Sequence, residues 1–199
     1  MIKADNISKS FGDKVIFEKI SLTIPNGEHC VFTGTSGTGK TTLLRVLAGL
    51  EKADSGNVYI KENARKTFVF QENRLLESRS VLENIMSVAP DKDRALYILK
   101  ECGLIDDFHK KARKLSGGMK RRLAIARALA YGGDIYFFDE PLREMDDMTN
   151  TSILELIEDE TSGKTVIMIT HDNNAANLFA DRIIDFGGSP MHIKSDKRI

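Results

Sequence analysis

Apolar residues follow two alternating patterns along the chain. Short runs rich in β-branched and aromatic residues occupy residues 28–33, 67–70, 134–139 and 165–170, and helical spacing occupies residues 40–50. The last two runs are apolar almost throughout, which is typical of strands covered on both faces of a parallel sheet. The alternation therefore predicts an α/β fold with a mainly parallel central sheet.

The beginning and the middle of the chain have different patterns. Residues 1–24 contain short alternating pieces and lead into a Pro-Asn-Gly turn at residues 25–27, which favours an antiparallel edge. In the middle of the chain the strand signal vanishes and helical spacing replaces it. We expect one domain, with a core of approximately residues 1–71 and 131–199, an N-terminal antiparallel β subdomain and an inserted helical subdomain of approximately residues 72–130.

Composition narrows the class of protein. An apolar fraction of 41% in 199 residues supports one buried core, and 29 basic residues balance 29 acidic ones, so no global field attracts nucleic acid or anionic lipid. No apolar run reaches the roughly 18 residues that span a bilayer. Cys30 and Cys102 lack the spacing of a metal site or of a disulfide framework. These features favour a soluble chain in a reducing cytoplasm.

The clearest chemical signal is a glycine-rich turn between a predicted strand and a predicted helix. The sequence GTSGTGKT at residues 34–41 matches the Walker A pattern in the context that this pattern requires. Glycines let backbone N–H groups surround phosphate oxygens, and the helix N-terminus adds the positive end of its dipole. Lys40 is expected to reach the β- and γ-phosphates, and Thr41 to offer its hydroxyl to Mg²⁺. The expected ATP-binding residues here are Gly34, Thr35, Ser36, Gly37, Thr38, Gly39, Lys40, Thr41 and Thr42.

An acidic pair ends another predicted strand. Asp139 and Glu140 follow four apolar residues, and the carboxyl ends of strands are where open α/β sheets bind their ligands. We expect Asp139 to hold Mg²⁺ and Glu140 to polarise the water that attacks the γ-phosphate. Such a pair alone is more often a solvated loop, so this interpretation depends on the phosphate loop.

A third motif, LSGGM at residues 115–119, lies between these two and precedes a predicted helix at residues 120–129. In sequence order the chain has Walker A, a glutamine after a strand at Gln71, LSGGM, the acidic strand end and a histidine after a strand at His171. This order resembles the ABC ATPases over essentially the whole chain. Small residues that open a helix form a second anion cradle. The resemblance implies that Ser116, Gly117 and Gly118 contact nucleotide phosphate.

The resemblance also implies roles for three other residues. Gln71 corresponds to the glutamine that contacts Mg²⁺ and the attacking water, and His171 to the histidine that contacts the γ-phosphate. Phe11 stands where the family places an aromatic ring on adenine, since the π face is what stacking uses. The alternatives are a structural histidine and an ordinary apolar residue of an edge strand.

Two departures from the family pattern bear on hydrolysis rate and cooperativity. Met119 replaces the glutamine that usually ends the third motif. Arg143, Glu144 and Met145 replace small residues in a loop that, in the family, crosses a dimer interface.

Taken whole, the resemblance implies an ATPase that uses ATP and Mg²⁺ and serves an ABC membrane transporter. Residues 70–76 and 80–85 are similar to those of importers of the nitrate, sulfonate and taurine type. The implied partners are a transmembrane permease subunit, which would dock at residues 72–86, a second ATP-binding subunit and, through the complex, a solute-binding protein. A homodimer is expected, with a heterodimer as the alternative. The implied location is the inner face of the cell membrane, as a peripheral cytoplasmic subunit.

Two alternative functions remain. A basic run at residues 110–122 favours an ABC ATPase that acts on nucleic acid or the ribosome. Such proteins usually have two ABC domains or a coiled-coil insertion, and nucleic acid is therefore not the expected partner. Met119 and the altered loop favour a low-turnover regulatory module that binds nucleotide. The presence of Lys40, Asp139, Glu140 and His171 argues against it.

Overall fold

The computed structural model describes residues 1–199 and contains two β-sheets. The strands of the larger sheet are β3 (His29–Gly34), β5 (Lys66–Val69), β6 (Ile135–Asp139), β7 (Thr165–Ile169), β8 (Arg182–Gly187) and β9 (His192–Arg198). They lie in the order β5-β6-β7-β3-β8-β9; the first five are parallel and β9 is antiparallel. The smaller sheet is antiparallel, in the order β2-β1-β4, and comprises β1 (Ile2–Phe11), β2 (Lys14–Ile24) and β4 (Ser55–Ile60). The predicted α/β fold is confirmed.

Two buried clusters cover the two faces of the larger sheet. In β6, Tyr136 and Phe138 belong to one cluster, whereas Ile135 and Phe137 belong to the other. Strand β7 divides in the same way, because successive side chains of a strand point to opposite faces. Each large apolar side chain buried in this way contributes about 1.5–3 kcal/mol. Burial on both faces is the physical reason why these strands are apolar throughout.

Helices surround the larger sheet and fill the middle of the chain. They are α1 (Lys40–Ala48), α2 (Val81–Met86), α3 (Lys92–Glu101), α4 (Gly117–Tyr131), α5 (Asp147–Glu160) and α6 (Asn173–Phe179). No strand of either sheet separates α2, α3 and α4, as the helical spacing predicts. Helix α4 starts earlier than the predicted helix because the Ser116 hydroxyl accepts a hydrogen bond from the Met119 N–H and caps it. None of the helices has both the length and the apolar character of a membrane-spanning segment.

The sequence pattern did not predict three of the strands, β4, β8 and β9. Strand β4 begins with Ser-Gly-Asn, and β9 carries charged residues along most of its length. Each is a strand because a partner is adjacent: β4 pairs with β1 and β9 pairs with β8. Strand β8 extends the parallel sheet beyond β3. Both cysteines, Cys30 and Cys102, are free and buried.

Candidate functional site

Strand order brings all the predicted motifs except LSGGM together at one edge of the larger sheet. Strands β5, β6, β7 and β3 are parallel neighbours, so their carboxyl ends meet at this edge. The phosphate loop follows β3, Gln71 follows β5, the acidic pair lies at the end of β6, and His171 follows β7. A cleft of about 480 Å³ lies here. The predicted site residues that line it are Phe11, Ser36, Gly37, Gly39, Lys40, Thr41, Thr42, Gln71, Glu140 and His171.

Two glycines allow the phosphate loop to lie close to both sheets. Gly34 and Gly39 have φ of 121° and 116°, in the left-handed region that favours glycine. A Cβ at Gly34 would overlap the carbonyl oxygen of Phe186 in β8, and a Cβ at Gly39 would overlap the side chain of Ile16 in β2. Helix α1 starts directly after Gly39 without a side-chain cap, so its first N–H groups remain free for an anion.

Lys40 places a positive charge inside the curve of the loop. Its side chain is buried, and Nζ donates hydrogen bonds of 2.8 Å to the carbonyl oxygens of Gly34 and Thr35. Burial lowers the pKa of Lys40, while the nearby carboxylates, chiefly Glu140, oppose that change. The ammonium group is thus held by weak neutral acceptors, which phosphate oxygens would readily replace.

Thr41 and Asp139 form a donor set suited to a divalent cation. Thr41 Oγ1 donates to Asp139 Oδ1 at 3.0 Å, whereas Asp139 Oδ2 is buried and has no hydrogen-bond partner. Burial raises the pKa of Asp139, and the bond from Thr41 opposes that rise. A buried carboxylate oxygen without a partner is costly, and hard cations prefer carboxylate and hydroxyl oxygens. The residues present therefore fit Mg²⁺.

His171 joins the acidic strand end to the phosphate loop. Its Nε2 lies 3.0 Å from Glu140 Oε1 and 3.3 Å from Ser36 Oγ. Because an ionised carboxylate only accepts hydrogen bonds, the contact with Glu140 requires a hydrogen on Nε2. Glu140 has φ of 52°, a left-handed conformation that costs a non-glycine residue about 1–2 kcal/mol. The surroundings therefore impose its position, as is common at functional sites.

Phe11 and Gln71 lie at the open side of the cleft. Phe11 is 52% exposed, and Lys9 Nζ lies 5.0 Å from the centroid of its ring. An exposed ring at the rim leaves a π face free for a planar ligand. Gln71 follows β5 and is exposed to the cleft.

The LSGGM motif lies apart from the cleft. Ser116 and Gly117 are exposed, and neither they nor Gly118 lines it. Glu144 packs against this turn: a Cβ on Gly117 would lie 2.8 Å from Glu144 Oε2, and a Cβ on Gly118 would lie 2.8 Å from the Glu144 carbonyl oxygen. Arg143 lies between two carboxylates, with Nη1 4.0 Å from Glu140 Oε2 and Nε 3.9 Å from Glu144 Oε1. The altered loop thus places a negative charge on the motif.

Sequence reasoning missed several residues of the site. Lys14, Ile16 and Arg45 line the cleft, and no local pattern singles them out. Arg121 of α4 is 2% exposed and donates hydrogen bonds to the carbonyl oxygens of Gln71 and Glu140. A signal for Arg121 existed, because it lies one helical turn before the buried Ile125 and so falls on the apolar face of α4.

The basic run at residues 110–122 is not one continuous surface. Arg121 is buried, and Arg122 donates to the carbonyl oxygens of Cys102 and Gly103. Lys120 pairs with Glu77 at 3.1 Å. Much of this charge is therefore engaged within the chain, which removes the main support for a nucleic-acid surface.

Comparisons with known proteins agree with this geometry. A family model described as ABC transporter matches residues 17–143. The chain is 38% identical to the aliphatic sulfonates import ATP-binding protein SsuB 3 of Rhodococcus jostii, over 96% of this chain and 74% of that protein. It is 36% identical to the arginine transport ATP-binding protein ArtM of Bacillus subtilis, over 92% and 86%. A dimeric ATP-binding cassette in a post-hydrolysis state, bound to ADP and Pi, superposes with a TM-score of 0.89 at 30% identity, covering 100% of this chain and 98% of that one.

Proposed function

This chain belongs to the ABC transporter family, and we propose that it is the ATP-binding and ATP-hydrolysing subunit of an import system. One observation carries the proposal: a single cleft is lined by the phosphate loop, Gln71, Glu140 and His171. Relatives whose names describe import or transport ATP-binding proteins support the importer assignment. The transported solute would be selected by other subunits, because this chain contributes the motor site.

ATP binds along the phosphate loop in this proposal. The free N–H groups at the start of α1 donate hydrogen bonds to the phosphate oxygens, and Lys40 exchanges the carbonyl oxygens of Gly34 and Thr35 for phosphate oxygens. Phe11, at the rim, stacks on the adenine ring. Thr35, Ser36, Gly37, Thr38 and Thr42 complete the loop around the phosphates.

Thr41, Asp139 and Gln71 would hold Mg²⁺. The unpartnered Oδ2 of Asp139 supports this role most directly. The cation would neutralise charge on the β- and γ-phosphates and orient them.

Glu140 and His171 act on the bond that breaks. Glu140 orients water for in-line attack on the γ-phosphate and accepts its proton, and the products are ADP and phosphate. His171 Nε2 lies between Glu140 and the phosphate-loop residue Ser36, so a γ-phosphate in the loop comes within reach of the same N–H group. His171 thereby couples binding of the γ-phosphate to the position of Glu140, the general base.

A second copy of the chain would complete each site. Ser116, Gly117 and Gly118 lie outside the cleft and are accessible, which supports their binding the γ-phosphate held by a partner subunit. ATP then favours a closed dimer because only that state contacts the nucleotide from both sides. Hydrolysis removes the bridging phosphate and releases the closed state.

The permease subunit would dock beside the glutamine segment, at residues 72–86. An adjoining groove of about 250 Å³ is lined by Phe70, Asn73, Arg74, Val88 and Arg127, among other residues. Docking there would hold the chain on the inner face of the membrane and place the permease next to Gln71. A solute-binding protein would associate through the permease.

The first test replaces Glu140 by glutamine. Glu140→Gln should bind ATP normally but hydrolyse it about 10²–10⁴-fold more slowly, because the general base is lost. It should accumulate as a dimer in Mg-ATP. Phosphate release and light scattering after size-exclusion chromatography measure the two effects, and Glu155→Gln, an exposed position on α5, is the control. Hydrolysis by Glu140→Gln at the native rate would remove Glu140 from its role.

The second test concerns the partner. The tagged chain is purified from gently solubilised membranes of its own cell, and stoichiometric partners are identified by mass spectrometry. A multi-spanning membrane protein is expected. Recovery of the chain alone, or with ribosomal proteins, would contradict the transport assignment and leave the ATPase chemistry intact.

A further inference from the structure

One buried guanidinium connects two loops of the cleft. Arg121 is 2% exposed and donates hydrogen bonds to six oxygen atoms. In the loop after β5, Nη1 bonds to the carbonyl oxygens of Phe70 and Gln71, the latter at 3.3 Å, and to Asn73 Oδ1 at 3.5 Å. At the end of β6, Nη2 bonds to the carbonyl oxygens of Asp139 and Glu140 at 2.7 Å each, and Nε bonds to that of Pro141 at 3.0 Å.

These bonds begin where the sheet ends. Strands β5 and β6 are paired up to Val69 and Phe138. Beyond that point no backbone hydrogen bond joins the two segments. The link between them is made instead by the side chain of Arg121, which belongs to a third element, α4. A planar guanidinium has five N–H donors in a fixed fork, so it can fix the distance and the angle between two loops at once.

The local energetics show why such a connection is needed. Glu140 is held in a left-handed conformation that relaxes unless contacts maintain it. Its carbonyl oxygen accepts from Arg121 Nη2 and, at 3.3 Å, from the Arg143 N–H. Burial lowers the pKa of Arg121 to about 10, but this pKa is still well above neutral pH, so the group stays charged. Hydrogen bonds from a charged donor contribute more to stability than neutral ones do.

We propose that Arg121 is a positioning residue for ATP hydrolysis, which keeps the loop of Gln71 and the backbone of Glu140 in fixed register. It touches neither nucleotide nor water in this role. A displacement of the Gln71 loop pulls on the guanidinium and therefore moves Glu140, so the two residues reach the γ-phosphate together or not at all. This inference rests on the proposed roles of Gln71 and Glu140.

The test compares Arg121→Gln and Arg121→Lys with Arg122→Gln in the full chain. Arg122 is the matched control, because it is the next residue of α4 and also donates to two backbone carbonyl oxygens, but these are remote from the cleft. Both Arg121 variants should lose about 10²-fold in kcat, since small displacements of a reacting group have effects of this size. The KM for ATP and the affinity for ATP should change less than about threefold, as expected for a group that acts only in the reacting state. Arg121→Lys keeps the charge but lacks the fork, so it should not restore the rate.

Hydrogen exchange gives a readout that does not depend on turnover. Amide exchange in residues 70–73 and 139–143 should rise in both segments together in the Arg121 variants, and in neither segment in Arg122→Gln. If Arg121→Gln fails to fold, Arg121→Lys carries the same comparison. Native kcat in folded Arg121 variants, or exchange that rises in one segment only, would overturn the proposal.

Parallel measurement of Glu140→Gln separates the two levels of inference. If Glu140→Gln is inactive while the Arg121 variants hydrolyse ATP normally, the positioning role fails and the function stands. If Glu140→Gln hydrolyses ATP at the native rate, the proposed function of Glu140 fails, and the positioning role fails with it.

Discussion

The phosphate loop, which lines the cleft, and the LSGGM turn both contain glycines and both precede a helix. They differ in how much of a binding site each one forms. In the cleft, Lys40 and Asp139 are buried, and the phosphate loop packs against both sheets. At the turn, Ser116 and Gly117 are exposed, and Glu144 is the charged group against them. Under the proposed function, one chain supplies most of the pocket for phosphate, and the LSGGM turn serves the site of a second copy.

The two regions also differ in stored strain. The cleft contains an unpartnered carboxylate oxygen of Asp139, a left-handed Glu140 and a buried ammonium group on Lys40. These features cost stability in the empty protein, and a polyphosphate with its cation would relieve them. The turn itself has an exposed helix cap, and the one left-handed residue against it is Glu144, with φ of 68°. Substitutions in the cleft should therefore have the larger effects.

The largest effect is expected for Lys40→Ala. Removing the buried positive charge should weaken ATP binding about 10²–10³-fold, because a charge pair lost from a desolvated site costs several kcal/mol. Calorimetric titration with ATP measures this affinity. Lys14→Ala, which removes an exposed lysine from the same cleft, should weaken binding less than about tenfold. Equal losses in both variants would show that net charge, and not the position of Lys40, governs binding.

An intermediate effect is expected for Gly34→Ala. The added methyl group overlaps the backbone of β8 and opposes a left-handed φ, so the free energy of unfolding should fall by about 3 kcal/mol. Urea denaturation of the nucleotide-free chain measures it. Gly37→Ala shares the left-handed φ, 76°, but has open space around its Cβ, and it should therefore lose only the conformational part, about 1–2 kcal/mol. Equal losses would contradict the packing argument.

The smallest effect is expected for Glu144→Ala, at the turn. If the turn binds the γ-phosphate held by a partner subunit, the Glu144 carboxylate repels that phosphate. Removing the carboxylate should therefore strengthen ATP-dependent dimerisation about fivefold, because an exposed electrostatic interaction contributes about 1 kcal/mol. Sedimentation in the Glu140→Gln background measures dimerisation without turnover. Glu144→Gln should give most of the same increase in dimer affinity, and the difference in affinity between these variants and the unsubstituted Glu144 chain should shrink at high salt. Weaker dimerisation in Glu144→Ala would instead assign Glu144 a favourable contact with the partner.

The sequence predicted much of the cleft because its signals are local. Gly34 and Gly39 stand where the backbone needs left-handed φ, and Lys40 opens a helix directly after them. Glu140, the proposed general base, follows a strand whose burial on both faces makes it recognisable. Arg121 was not predicted, because the sequence marks only its place on the buried face of α4, whereas its partners are carbonyl oxygens of residues far away in the chain.

The amino-acid sequence by itself thus determined the phosphate loop, the central strands and the order of the motifs, since backbone conformation, helix capping and burial periodicity act over a few residues. Only the tertiary structure decided which strands are neighbours, that β4, β8 and β9 are strands at all, and that Glu144 rests on the LSGGM turn. It also decided that a single guanidinium spans Gln71 and Glu140. The physical reason is that strand pairing and buried hydrogen bonds depend on partners that the chain brings together only when it folds.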